Sequence, residues 1–250
     1  MLKKRLIGVI TVKNGLAVQS FGYARYLPLG RPEVLAENLD RWGVDEILLQ
    51  CIDRSTLYAE PDFELLRRVG QLGLATPLIY AGGIKSHAAG VEAIKLGADR
   101  ICIDAVLHDE PDAVAQLSNM LGAQALIAGL PVALGESALS WKDYRSGAEK
   151  PLGGPALRLL EDKLVSEAMV IDWKNEGRSQ GFDFRLLEQF PPLDVPLIAF
   201  GGLSEPAQLL RALNHPKVVA VAIGNFLNYR EHAVLRLKEQ LAGLPLRMPT

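Results

Sequence analysis

Apolar and polar positions along the chain alternate between two periods. Short runs rich in Val, Ile, Leu and Ala begin near Arg5, Glu46, Pro77, Arg100, Gln124, Glu167, Pro196 and Val218, and bounded runs of this kind predict buried strands. Between them lie stretches with helical spacing: PEVLAENLDRWG, AAGVEAIKLG, PDAVAQLSNML, PALRLLEDKL and HAVLRLKEQL. Eight strands alternating with helices in 250 residues predict an α/β fold, a single (β/α)8 barrel. An open doubly wound sheet is the alternative. The longest irregular stretch, residues 134–154 after the fifth strand, is expected to form a hairpin over the barrel mouth.

The pattern also repeats. PLIYAGGIKS from Pro77 returns as PLIAFGGLSE from Pro196, VDEILL from Val44 as VSEAMV from Val165, and DFELL from Asp62 as DFRLL from Asp183. Two half-barrels, 1–122 and 123–250, account for these echoes, whereas an open sheet does not require them.

Composition narrows the function classes. The formal charge is −2, which supplies no basic field for nucleic acid. No apolar run reaches the roughly 20 residues of a membrane helix, and the start, MLKKRLIGVITV, reads as a first strand rather than a secretion signal. Cys51 and Cys102 fall in strand-like runs, so free buried thiols are expected. His87, His108, His215 and His232 have no ligand spacing, so no metal or other cofactor is predicted. A soluble, reduced, cytoplasmic protein is the expectation.

In a barrel the loops after the strands form the active face. Gly-Gly there lets backbone N–H groups approach an anion, helped by the following helix N-terminus. Gly201-Gly202 and the AIGN segment with Gly224 and Asn225 follow the seventh and eighth strands, where barrels commonly hold phosphate. The twin site in the first half is Gly82-Gly83, where Asp104 intrudes. A carboxylate about 5 Å from a phosphate costs on the order of 3 kcal/mol per unit charge at an effective dielectric near 20. An anion is therefore expected in the second half.

Four strands carry a charge where central parallel strands are normally apolar: Arg5, Glu46, Arg100 and Glu167. Strand alternation puts Arg5, Ile7, Val9 and Thr11 on one face, and Arg100, Cys102 and Asp104 on another. If those faces point inward, two arginines and two glutamates meet at the barrel bottom and must pair. A structural plug and a polar gate both fit that layer.

The segments MLKKRLIGVITVKNG, GVDEILL, AGGIKS, LGADRICI, EGRSQGFDFRLL and PLIAFGGLSEP together resemble the cyclase subunit of imidazole glycerol phosphate synthase over nearly the full length. The resemblance implies a glutaminase docked on the barrel bottom, ammonia entering through a charged gate at Arg5, Glu46, Arg100 and Glu167, and a phosphorylated ligand at the top. It also exposes departures. The family's two catalytic aspartates fall at Thr11 and Pro131, its active-site lysine at Gln19 and its acid after the second strand at Cys51. Glu176 replaces a third aspartate, and Gly177 is kept. General acid–base catalysis needs groups that carry a proton, which leaves Glu176, Asp104 and Thr11 as candidates.

This pattern resembles divergent cyclase-like proteins of surface-polysaccharide clusters, which implies nitrogen transfer to a nucleotide sugar with a sugar amidotransferase as a further partner. An ordinary cyclase-lyase of histidine biosynthesis with relocated acids is the second reading. A non-catalytic scaffold that activates a glutaminase is the third.

Overall fold

The computed structural model describes residues 3–136, 138–228, 233–241 and 243–246. Eight parallel strands form a closed ring: β1 (Arg5–Lys13), β2 (Glu46–Cys51), β3 (Leu78–Ala81), β4 (Arg100–Ile103), β5 (Leu126–Leu134), β6 (Glu167–Asp172), β7 (Leu197–Phe200) and β8 (Val218–Ile223). Each pairs with the next, and β8 returns to β1 through Arg5↔Ala220 to Gly8↔Ile223. This is a (β/α)8 TIM barrel, and the open sheet is excluded. All eight predicted strands lie within two residues of their expected starts, because each is an apolar run long enough to be buried on both faces.

Two cores result from the alternation along the strands. Outward residues such as Leu6, Ile10, Ile47, Leu49 and Leu130 meet the helices. Inward residues, among them Ile7, Val9, Leu48, Ile79, Ile127, Met169, Ile198 and Phe200, fill the barrel. Local signals start the helices. Asp62 accepts the Leu65 N–H at 3.1 Å and Ser86 the Ala89 N–H at 3.2 Å, each satisfying a donor that the first turn leaves orphaned. Glu205 and Gln208 form a capping box ahead of the helix Pro206–Asn214. His232, at the head of the last predicted helical pattern, lies outside the described residues; the helix itself is described over Ala233–Gln240.

Two antiparallel additions rise from the strand ends. After β5, residues Leu139–Lys142 pair back onto Val132–Leu134, and Glu149–Pro151 adds a third strand, as expected for 134–154. The second addition was not anticipated: Leu16–Phe21 folds back on β1 and pairs with Arg25–Gly30. Its turn is Asn14-Gly15, both with positive φ (51° and 74°), the backbone a two-residue hairpin requires. That dipeptide was the available signal. Both cysteines are free and buried, and burial pushes each thiol up to about 12.

The barrel bottom is tied to the C-terminal helix by a buried pair. Lys238 Nζ lies 2.8 Å from Asp45 Oδ1, and Asp45 Oδ2 accepts the Leu6 N–H at 2.7 Å. Removing one partner of such a pair leaves an uncompensated buried charge. Lys238→Ala is expected to lower unfolding free energy by about 3–5 kcal/mol in denaturant titrations, with the barrel's circular dichroism unchanged at low denaturant.

Candidate functional site

The floor of the barrel carries the four charges in one closed ring. Arg5 reaches Glu167 at 2.6 Å and Glu46 at 3.6 Å, and Arg100 reaches Glu167 at 2.9 Å and Glu46 at 3.3 Å. Each cation thus touches both anions. Arg100 also donates to Ser166 Oγ at 2.8 Å and to the Gln124 carbonyl at 3.0 Å. Both glutamates are buried. Burial pushes the Glu46 carboxyl up, while Arg5 and Arg100 pull it back. The pairing is incomplete at the atomic level, since Arg5 Nε, Glu46 Oε2 and Glu167 Oε2 lack a hydrogen bond of good geometry. Directly above the ring the lining is uncharged, with Ile7, Leu48, Ile79, Ile127 and Met169 facing inward.

At the mouth, the loops after the strands make two cavities. The second-half cavity, about 250 Å³, is lined by Gly177, Arg178, Ser179, Gly201, Gly202, Ser204, Gly224 and Asn225. The structure brings together here all the phosphate candidates of that half. Gly201 and Gly202 have φ of 103° and 84°, a region closed to most side chains. A Cβ on Gly177 would lie 1.9 Å from the Ser20 carbonyl oxygen, so only glycine fits beneath the hairpin. Asp172, at the end of β6, holds the loop that follows by accepting from Asn175 Nδ2 and the Asp183 N–H, both at 2.8 Å.

Glu176 and Asn225 have other commitments. Glu176 Oε2 accepts from Ser20 Oγ at 2.9 Å and from the Tyr23 N–H at 3.2 Å. Asn225 donates to the Ser20 carbonyl at 2.6 Å and accepts its N–H at 3.1 Å. Both side chains clamp the first hairpin across the mouth. Burial raises the Glu176 carboxyl, and its bonds to Ser20 and the hairpin backbone oppose this.

The other cavity is larger, about 540 Å³, and is lined from both halves: by Gly82, Gln50, Cys102 and Asp104 with Tyr23 and Tyr26 from the first, and by Pro131, Tyr144 and Trp173 from the second. Gly83 lies apart, in a cleft of about 20 Å³, with its N–H 3.3 Å from Ser55 Oγ. Three cations near these glycines are already engaged: Lys85 by Glu60 at 2.8 Å, Arg54 by Asp62 at 3.0 Å, and Arg145 by Asp109 and Asp143; Lys13 and Lys142 also line the larger cavity. Burial raises the Asp104 carboxyl, opposed by bonds from the local backbone and Ser55. Thr11 is buried within β1, level with Gln50 of β2; it is not among the residues lining either cavity. Gln19 is buried in the hairpin. Among the described residues no group of His, Cys, Asp and Glu could hold a metal ion, and no helix is long and apolar enough to cross a membrane.

The aromatic lining escaped sequence reading because Tyr23, Tyr144 and Trp173 lie outside the repeated segments and belong to loops whose paths only the hairpins define. Tyr23 enters with φ 52°, packs on the barrel's inner core and meets Tyr144 edge-on, with ring centroids 5.4 Å apart.

The hairpin after β5 is anchored by His108 stacked on Trp141 at 3.7 Å. Burial lowers the His108 imidazole to about 4 from its ordinary 6.5. The unfolded chain therefore takes up this proton first. Stability from the neutral ring is complete above pH 6.5 and is lost as pH falls toward 4. Thermal melts should show a loss of about 1–3 kcal/mol across that window, and His108→Phe should remove it.

The chain matches known proteins along almost all of its length. The profile of the histidine biosynthesis protein family covers residues 5–233. The imidazole glycerol phosphate synthase subunit HisF of Thermococcus gammatolerans is 29% identical over 99% of this chain and 99% of its own length. Those of Thermococcus onnurineus and Pyrococcus furiosus are 28% and 27% identical, with 99% of this chain and 99% and 100% of their lengths covered. With a closed barrel, an inward charge ring and glycine-built loops at the opposite face, the chain belongs to the histidine biosynthesis protein family and is a HisF-like barrel.

Proposed function

We propose that this barrel receives ammonia from a glutaminase docked on its floor and delivers it at the mouth for nitrogen transfer, in the amidation of a nucleotide sugar for polysaccharide biosynthesis. The carrying observation is the closed ring of Arg5, Glu46, Arg100 and Glu167. A layer kept only for stability is poorly served by ions, because well-packed apolar residues are commonly as stabilising as a buried ion network or more so. Above the ring, the uncharged lining suits neutral ammonia and disfavours ammonium, whose desolvation is costly. The same reading treats 1–122 and 123–250 as copies of one half-barrel, of which the second keeps its anion site around Gly177, Gly201, Gly202 and Gly224 and the first, at Gly82 and Gly83, has lost it. A sugar amidotransferase is the further partner this chemistry needs.

The acids argue against full cyclase chemistry. Pro131 has no proton to give, Thr11 is buried in its strand, and Glu176 is bound to Ser20 and Tyr23. Asp104 is the remaining carboxyl lining the larger cavity with its proton affinity raised. The second reading, a cyclase-lyase of histidine biosynthesis with Asp104 in a relocated acid role, is favoured by the end-to-end match to HisF subunits. Growth of a histidine auxotroph lacking its cyclase, when supplied with this chain, selects the second reading.

Glu167→Gln is expected to change product formation from glutamine while leaving formation from added ammonium salts near its original rate, with a stability loss of about 1–3 kcal/mol. An equal fall with both nitrogen sources, or no change with either, identifies the ring as a plug. Crystals soaked in phosphate should show the anion in the second-half cavity and none at Gly82–Gly83. The reverse occupancy overturns the assignment.

A further inference from the structure

By side-chain charge alone, the walls of the second-half cavity repel an anion. Three ionisable residues line it, Glu176, Arg178 and Glu205, so acids outnumber bases. Both acids have structural work. Glu176 holds Ser20 and the Tyr23 N–H, and Glu205 closes the capping box ahead of the helix Pro206–Asn214. That helix N-terminus therefore already faces a carboxylate, and its dipole is spent on it.

The glycines supply donors without net charge. Among the described residues, the N–H groups of Gly177, Gly202 and Gly224 donate to no backbone carbonyl. Such groups can hold an anion once it is seated. They do not cancel two carboxylates in the same wall, whose repulsion acts over several ångströms.

Arg178 is the cation that answers this deficit. It directly follows Gly177, the position that only glycine can occupy beneath the hairpin. Its own N–H is fixed to the Asn175 carbonyl at 3.0 Å, so the side chain starts from a set place on the wall. The guanidinium is exposed and, among the described residues, makes no ion pair or hydrogen bond. The cations near the first-half glycines differ: Arg54, Lys85 and Arg145 each hold a carboxylate. An arginine fork matches paired phosphate oxygens. Beside it, the hydroxyls of Ser179 and Ser204 lie 3.1 Å apart and line the same cavity.

We propose that Arg178 is the specificity-determining residue of the second-half cavity, closing its guanidinium over a phosphoryl group seated against Gly202 and Gly224. This role rests on the anion reading of the cavity and adds the source of its affinity: one side chain, rather than the glycine backbone and helix terminus alone. In the first half, where every matching cation is paired, no such residue is available.

The test is calorimetric titration of the full chain with inorganic phosphate, with 15N amide shifts reporting where the anion sits. The unsubstituted protein should bind with a Kd below about 1 mM, moving the Gly202 and Gly224 amides and leaving Gly82 and Gly83 in place. Arg178→Ala should weaken binding about tenfold to a hundredfold, the equivalent of charge-assisted hydrogen bonds. Arg178→Lys should recover part of the loss, because it keeps the charge without the fork. Thermal midpoints of both variants should stay unchanged, since the guanidinium has no protein partner to lose. Phosphate held at Gly202 and Gly224 with equal affinity by Arg178→Ala overturns the role of Arg178 and leaves the anion site standing on its glycines. Binding by Arg178→Lys as weak as by Arg178→Ala overturns the role as counter-charge. No binding by the unsubstituted protein up to about 10 mM, or shifts confined to Gly82 and Gly83, overturns the anion site and the role together.

Discussion

The return of β8 to β1 governs the rest of the molecule. Hydrogen bonds between Arg5–Gly8 and Ala220–Ile223 turn an open parallel sheet into a ring. Once closed, every strand presents alternate residues to a common interior. Charges on four different strands then converge at one level, and the loops after eight strands converge at one rim. Neither convergence is a property of any single segment.

At the floor, convergence forces pairing. Two arginines and two glutamates in a shared interior are tolerable only because each cation reaches both anions, at 2.6–3.6 Å. The desolvation cost of such a set is comparable to its Coulomb gain, so the ring is balanced rather than strongly stabilising. The atoms left without a well-formed bond, Arg5 Nε, Glu46 Oε2 and Glu167 Oε2, belong to such a balance. Rearranging side chains in it costs less than unpacking the apolar layer above.

At the rim, the hairpin after β1 sets the layout. Ser20 is bound through its hydroxyl to Glu176, and through both backbone groups to Asn225. One residue of the first half is thereby fastened to two of the second. Glu176 could be read from sequence as a proton carrier; in the structure its carboxylate is an anchor. Gly177 could be read as a phosphate ligand, and the close approach of Ser20 supplies a second reason for glycine at that position. Function and architecture share these residues, so a substitution at either would disturb both.

The sequence by itself determined the order of strands and helices and which residues share a strand face, because both follow from local period-two and helical patterns. That the charged faces point inward and the four charges meet was conditional on closure, which the pairing of β8 with β1 supplies. The sequence also determined the Gly-Gly turns, where positive φ at Gly82, Gly83, Gly201 and Gly202 leaves few other residues possible. Only the tertiary structure decided the path of the first hairpin, the capture of Glu176 and Asn225 by Ser20, and the aromatic cavity formed by Tyr23, Tyr144 and Trp173. These contacts join residues more than 100 positions apart, mostly through side chains carried on the rim loops and hairpins. Loop residues have no periodic pattern to announce which face they occupy, and their partners are set by where the strands beneath them end.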